Sequence, residues 1–174
     1  MALSKLASVE LVLGELESSL QHFDQCIALN EQVGDIMSRS INIIDRARTL
    51  VAMGRFREGE SDLQEVIDLS RCRDESIMET MAESILADLY LAEQRPDDAA
   101  RSYRAAAAGF EHRIPREELS MRQALAEVRL VQKEPAAAYR HLSRAKALLL
   151  DFEDDGGPGV TETINSLERR IVGI

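Results

Sequence analysis

The stretch Leu11-Val12-Leu13-Gly14-Glu15-Leu16 decides the fold, because it comes back three times. Forty residues on stands Val51-Ala52-Met53-Gly54-Arg55-Phe56, and forty more give Leu91-Ala92-Glu93-Gln94-Arg95-Pro96. A further 39 give Leu130-Val131-Gln132-Lys133-Glu134-Pro135. Each copy closes an apolar helical run, turns, and opens another. Gly14 and Gly54 stand just past a helix end, where a positive φ is cheap only for glycine. Pro96 and Pro135 open the following helix, where a missing N–H does no harm.

The register extends beyond the turn. Nine residues past it stand Phe23, Leu63, Tyr103 and Leu142, and three further on Cys26, Val66, Ala106 and Ala145. Five past it come Ser19, Gly59, Ala99 and Ala138, and seven before it Ala7, Ala47, Ala87 and Ala126. Small residues at two fixed points are what two closely crossing helices need, since larger side chains would push the axes apart. The chain thus reads as a helix pair repeated about every 40 residues.

Small residue, turn glycine, small residue, aromatic, then alanine is a pattern that resembles the tetratricopeptide repeat. The resemblance runs from about residue 3 to 150. Leu6-Ala7, Leu86-Ala87 and Leu125-Ala126 match the family, and Tyr90 falls where it often carries Tyr. Arg46 departs from an expected Leu, Gly59 from an expected Ala, and Arg129 from an expected aromatic. The period exceeds the family's usual one, as in the helical arrays of bacterial MalT-like transcription activators and those preceding diguanylate cyclase domains. The resemblance implies an all-α fold, a right-handed α-solenoid of about four antiparallel pairs with a C-terminal capping helix, and a protein-binding role.

Helices are expected near 3–13, 17–33, 36–53, 56–72, 75–94, 96–112, 116–133 and 135–152. The repeat domain is placed at 3–152 and a Gly/Asp linker at 153–160, around Asp154-Asp155-Gly156-Gly157-Pro158-Gly159. A last helix follows at 161–174, with Thr161 as its cap. Val160, Ile164, Leu167 and Ile171 share one face of it. It reads as a cap over the last repeat, or as the first turns of a connector to a further domain. Met-Ala-Leu-Ser-Lys-Leu reads as a start inside a helix, as in a piece of a longer protein or an array whose N-terminal partner helix is missing.

Hydrophobic residues make up 45% of the 174 and aromatics only 4%, with no Trp, so the core must be aliphatic. The net charge is −10, which disfavours direct nucleic-acid binding, a task for a basic face. The charge is uneven. Residues 1–94 hold 18 acids and 8 bases, and residues 95–150 hold 7 acids and 11 bases. The opposite signs suit head-to-tail contact between copies; the plainer reading is a solvated mixed surface. Cys26 and Cys72 form no disulfide framework or zinc motif, which fits a reducing, cytoplasmic compartment. No apolar run is long enough for a membrane span.

Little in the chain calls for chemistry. The Gly cluster at 156–159 lacks the Lys-Ser/Thr of a phosphate loop. His22, His112 and His141 have no metal-pair spacing, and the repeat itself accounts for His22 and His141. Asp97-Asp98 sits in a helix's first turn, where negative charge suits the macrodipole. Arg113, Arg116 and Arg122 read as surface decoration rather than an anion site. No catalytic residue, metal or cofactor is expected.

The first helix of each pair should line a groove. Candidate partner-binding residues are Lys5, with Ser4 and Ser8; Ile44, Asp45 and Arg48; Ser84, Ile85 and Asp88; and Gln123 and Glu127, with Ala124. Ile44 and Ile85 have a second reading, as packing between neighbouring first helices. Asp45, Asp88 and Glu127 would repel an acidic C-terminal tail and favour a protein segment with basic and apolar residues. The functional expectation is an interaction scaffold or sensory module of a larger bacterial signalling or transcription regulator. Its alternatives are a regulatory segment of an enzyme such as a diguanylate cyclase, and a self-assembling array that forms homo-oligomers.

Overall fold

A computed structural model describes residues 2–73, 75–111, 113–150 and 159–173. Among them run α1 (Ala2–Leu13), α2 (Leu16–Val33), α3 (Ile36–Ala52), α4 (Phe56–Arg73), α5 (Ser76–Ala92), α6 (Pro96–Phe110), α7 (Pro115–Val131), α8 (Pro135–Leu150) and α9 (Val160–Val172). The described residues are all-α. Helices α1 to α8 keep within two residues of the ranges expected from the repeat. The breaker at 154–158 and His112 lie outside the described residues. No helix among those described is long and apolar enough to cross a membrane.

The helices fall into two compact units, Met1–Glu93 with α1 to α5 and Gln94–Ile174 with α6 to α9. In the first unit each helix packs on the next, and α1, α3 and α5 lie side by side. Its core joins Ile27, Ile43, Ile44, Leu63, Ile67, Met78, Leu86 and Leu89. In the second unit α7 packs between α6 and α8, and α9 lies against both α7 and α8. There Leu119, Leu142 and Leu148 meet Ile164 and Leu167 of α9. Val160 and Ile171 pack at the edge of that cluster, so the four residues of the expected apolar face all turn inward. Thr161 does not cap α9. The helix begins at Val160, Gly159 takes the cap position at φ 83°, and Thr163 Oγ1 donates back to the Gly159 carbonyl at 2.9 Å.

The eight small positions are all buried, with Ala7, Ser19, Ala47, Ala87, Ala99, Ala126 and Ala138 at 0% exposure and Gly59 enclosed. The cause is visible between α1 and α2, where Ser19 Oγ donates to the Ala7 carbonyl at 2.8 Å. One repeat on, a Cβ at Gly59 would lie 3.4 Å from the Ala47 carbonyl oxygen and 3.3 Å from Leu89 Cδ1. Equivalent residues therefore meet equivalent carbonyls. Phe23 and Leu63, one turn further along, are buried beside these crossings, and the equivalent Tyr103 and Leu142 are buried as well.

The turn recurs as a backbone conformation rather than as a residue. Gly14 and Gly54 have φ of 80° and 73°, and Gln94 and Lys133, at the equivalent places, both have 60°. Gly54 N donates to Val51 O at 3.0 Å and Arg55 N to Leu50 O at 2.8 Å. Lys133 N donates to Leu130 O at 3.0 Å and Glu134 N to Arg129 O at 2.8 Å, the same pair of bonds closing the last turn. A left-handed residue with a Cβ costs roughly 1–2 kcal/mol.

Arg46, where the repeat expects Leu, faces two neighbours. Its guanidinium donates to both carboxylate oxygens of Asp62 in α4, at 2.8 and 2.7 Å, and to Asp24 of α2 at 2.8 Å. Charge pairing here replaces apolar packing between three helices.

Two substitutions test this description by chemical denaturation. Ala47→Leu, overpacking a closed crossing, is expected to cost about 1–3 kcal/mol; an unchanged midpoint would show that the axes are free to move apart. Lys133→Gly relieves the left-handed strain and is expected to stabilise by up to about 1 kcal/mol. A loss of stability there would mean that the Lys133 side chain matters more than its φ.

Candidate partner-binding face

The sequence places the groove on the first helices, and the structure sorts its residues by burial. In the first unit Lys5, Arg48 and Asp88 are exposed. Asp45 is half-buried and accepts from Arg48 NH1 at 2.9 Å. Burial pushes the Asp45 carboxyl above the usual carboxylate range, against the pull of Arg48. Ile44 and Ile85, at 1% and 8% exposure, belong to the core cluster, so of their two readings the geometry supports packing between helices. Ser84 is buried and its Oγ donates to the Met81 carbonyl at 2.7 Å.

The apolar part of the face comes from residues the sequence reading passed over. Counting back from Asp45 by four and by eight reaches Ile41 and Met37 on the same side of α3. Met37 is exposed and Ile41 partly so, and Ile77 and Met81 take the corresponding places on α5. Extending the face two more turns toward the helix starts would have found all four.

Beside Ile41 lies a cavity of about 360 Å³, lined by Leu3, Ser4 and Lys5 of α1, Cys26 and Leu29 of α2, and Asp35, Ser38, Ile41 and Asn42 around the start of α3. It lies where the last turns of α2 meet the first residues of α1 and the start of α3. A polar ladder crosses the floor: Ser4 Oγ donates to Asn42 Oδ1 at 2.9 Å, and Asn42 Nδ2 donates to Asn30 Oδ1 at 2.8 Å. At the rim, Asp35 caps α3 by accepting from Ser38 N at 3.0 Å, which holds its carboxyl below the usual range.

The fourth-repeat residues are engaged within the second unit. Gln123 Nε2 donates to the Val160 carbonyl at 3.5 Å, and Glu127 lies 3.9 Å from Arg170 NH1. Both look onto α9. Arg122, once weighed as part of an anion site, is bound to Glu118, which is fully buried and also receives Arg144 Nε at 3.0 Å.

The two aligned histidines have opposite surroundings. His22 Nδ1 lies 2.7 Å from Glu10 Oε2, and this bond lowers the carboxyl pKa of Glu10. At the position equivalent to Glu10, the fourth repeat has Arg129. His141 is accordingly pushed down to about 4, first by burial and then by Arg122, Arg129, Arg140 and Arg104. Among the described residues no three His, Cys, Asp or Glu converge to hold a metal.

The His141 shift has a sign that stability measurements can read. From about pH 6.5 down to about 4 the unfolded chain takes a proton that the folded one refuses, so stability is lost as pH falls through that window. His141→Gln is expected to remove that part of the loss, seen by comparing urea midpoints near pH 7 and about pH 5. An identical drop in the variant would remove His141 as the cause.

No family model matches the chain, and no curated protein is similar to it in sequence. Its fold is shared with solved structures. A point variant of a Podosopora anserina protein, described as a kinesin light chain with nearly identical TPR-like repeats, superposes with a TM-score of 0.80 at 18% identity, covering 99% of this chain and 85% of that one. A second crystal structure from the same source gives 0.77 at 15% identity, covering 99% and 92%. At such identities the likeness concerns the fold: helix pairs of the tetratricopeptide kind.

Proposed function

We propose that the chain is a protein-interaction module, and that the exposed side of the first helices in its first unit holds a protein segment carrying basic and apolar residues. One observation carries the reading. An apolar recess lined by Leu3, Leu29 and Ile41 is bordered by the Asp35 carboxylate, and Asp45 lies one turn beyond Ile41 along α3. Asp88 supplies a further acid on α5. Apolar anchors give such a site affinity, and the excess of carboxylates around them, which Lys5 and Arg48 offset only in part, gives it selectivity. Tetratricopeptide-type repeats in the structural neighbours support the general role; the face itself is argued from this chain.

The setting we infer is the sensory or scaffolding part of a larger bacterial regulator in the cytoplasm. Support comes from the 40-residue period, similar to MalT-like arrays, and from Arg outnumbering Lys 18 to 3, as in GC-rich bacterial genomes. In this reading the chain itself catalyses nothing.

Calorimetry with two synthetic peptides tests the face. A basic peptide with apolar residues is expected to bind, and Asp88→Lys to weaken it at least roughly tenfold, about 1.4 kcal/mol. An acidic C-terminal tail is expected to show no binding. If the acidic tail binds and Arg48→Ala abolishes it, the assignment of charge is reversed and the proposal fails.

A further inference from the structure

The three-helix ion cluster around Arg46 has a counterpart of opposite sign in the second unit. Asp24 stands ten residues past its turn, Arg46 eight before the next one and Asp62 eight past it. The same offsets in the last two repeats fall on Arg104 of α6, Leu125 of α7 and His141 of α8. α7 packs between α6 and α8 as α3 packs between α2 and α4, so the three positions again share one seam. In the first unit the seam is neutralised from within, two carboxylates holding one guanidinium at 2.7 to 2.8 Å. In the second, the central cation is replaced by Leu125, fully buried, and both carboxylates by basic residues. Two more cations flank Leu125 along α7. Arg122 and Arg129 take the places of Ile43 and Leu50, which are core residues of α3.

These cations converge, and they are in excess. Arg122, Arg129, Arg140 and Arg104 all lie close enough to His141 to oppose its protonation. Glu118 and Glu134 hold Arg122 and Arg129, at 3.3 and 3.0 Å. Arg104 donates only along its own helix, from Nε to the Ala100 carbonyl at 3.0 Å. Arg140 has no polar partner among the described residues, and Arg129 Nε is buried without an acceptor. Arg104 and Arg140 are both exposed.

We propose that this seam binds the phosphate of a phosphorylated side chain on a partner protein, with Arg104 and Arg140 donating to its oxygens beside His141. A phosphomonoester gathers nearly two negative charges and three acceptor oxygens at one point. That suits guanidinium groups gathered around one imidazole. Carboxylates strung along an acidic tail bring one charge each and cannot meet these groups together. The net charge of −10 opposes a long polyanion and leaves room for a single phosphate. That the carrier is a protein rests on the interaction role proposed above. The seam lies in the other unit from the peptide-binding face, so either can fail alone.

Fluorescence anisotropy of the full chain with a labelled phosphoserine peptide, otherwise glycine and alanine, should give a Kd on the order of 100 µM at about pH 7. The unphosphorylated peptide should not bind, and inorganic phosphate should compete only at a roughly tenfold higher concentration. Arg104→Ala with Arg140→Ala should weaken binding at least roughly tenfold with helical circular dichroism unchanged. Arg57→Ala with Arg73→Ala, which removes the same charge from α4, should leave it intact. Should the seam variant lose helicity, Arg140→Gln alone is read instead. By NMR, the His141 ring should titrate at higher pH with the phosphopeptide bound, because the dianion offsets the guanidinium groups. Equal binding of the unphosphorylated peptide, undiminished binding by the seam variant, or an unmoved His141 titration overturns the proposal. So does inorganic phosphate binding as tightly as the phosphopeptide, which would make the seam a site for a free anion.

Discussion

Each helix pair of the first unit depends on one contact, a small side chain seated against a backbone carbonyl of the facing helix. Ser19 over Ala7 and Gly59 over Ala47 are two occurrences of it. At that distance no branched side chain fits, and everything nearby adjusts. Larger residues such as Phe23 and Leu63 fill the space one turn away, where the crossing helices diverge. Close axes also demand a very short turn, and a short turn demands a left-handed residue. The backbone takes that conformation at Gln94 and Lys133 although neither is glycine. At Lys133 the packing of α7 on α8 sets the dihedral angle, against local preference.

That hierarchy explains what could be read from the sequence. Helix limits and crossing points were legible because they rest on residues of extreme character, Ala, Gly and Pro, recurring at fixed offsets. The candidate face was legible in part. Lys5, Arg48 and Asp88 are where the register puts them, on the exposed side. Ile44 and Ile85 show the limit, since an apolar residue near the edge of a face is drawn into whatever core lies beside it. The cavity next to Ile41 was not legible at all. It is made where residues of three helices far apart in the sequence come together, which no residue pattern encodes.

The repeat also reuses one geometry with opposite electrostatics. His22 finds a carboxylate across the helix pair and His141 finds guanidinium groups, though both occupy the same place. Burial and neighbouring guanidinium groups, rather than residue type, set where His141 titrates. Gln123 and Glu127 teach the same lesson about surfaces. Their register marks them as groove residues, and within the second unit their neighbours on α9 are what they meet.

The Arg46 cluster bears on how freely such repeats can be exchanged. Asp24 comes from the first pair, while Arg46 and Asp62 come from the second. Aliphatic seams are interchangeable, so a pair held only by leucine and alanine can be duplicated, deleted or grafted elsewhere. A pair that shares a cation with its neighbour is tied to it, though lightly here: Asp24 is half-exposed, and Arg46 keeps both its bonds to Asp62 if the first pair is moved. Recombination between residues 24 and 46 would therefore cost the first two pairs one exposed contact and leave the guanidinium still paired.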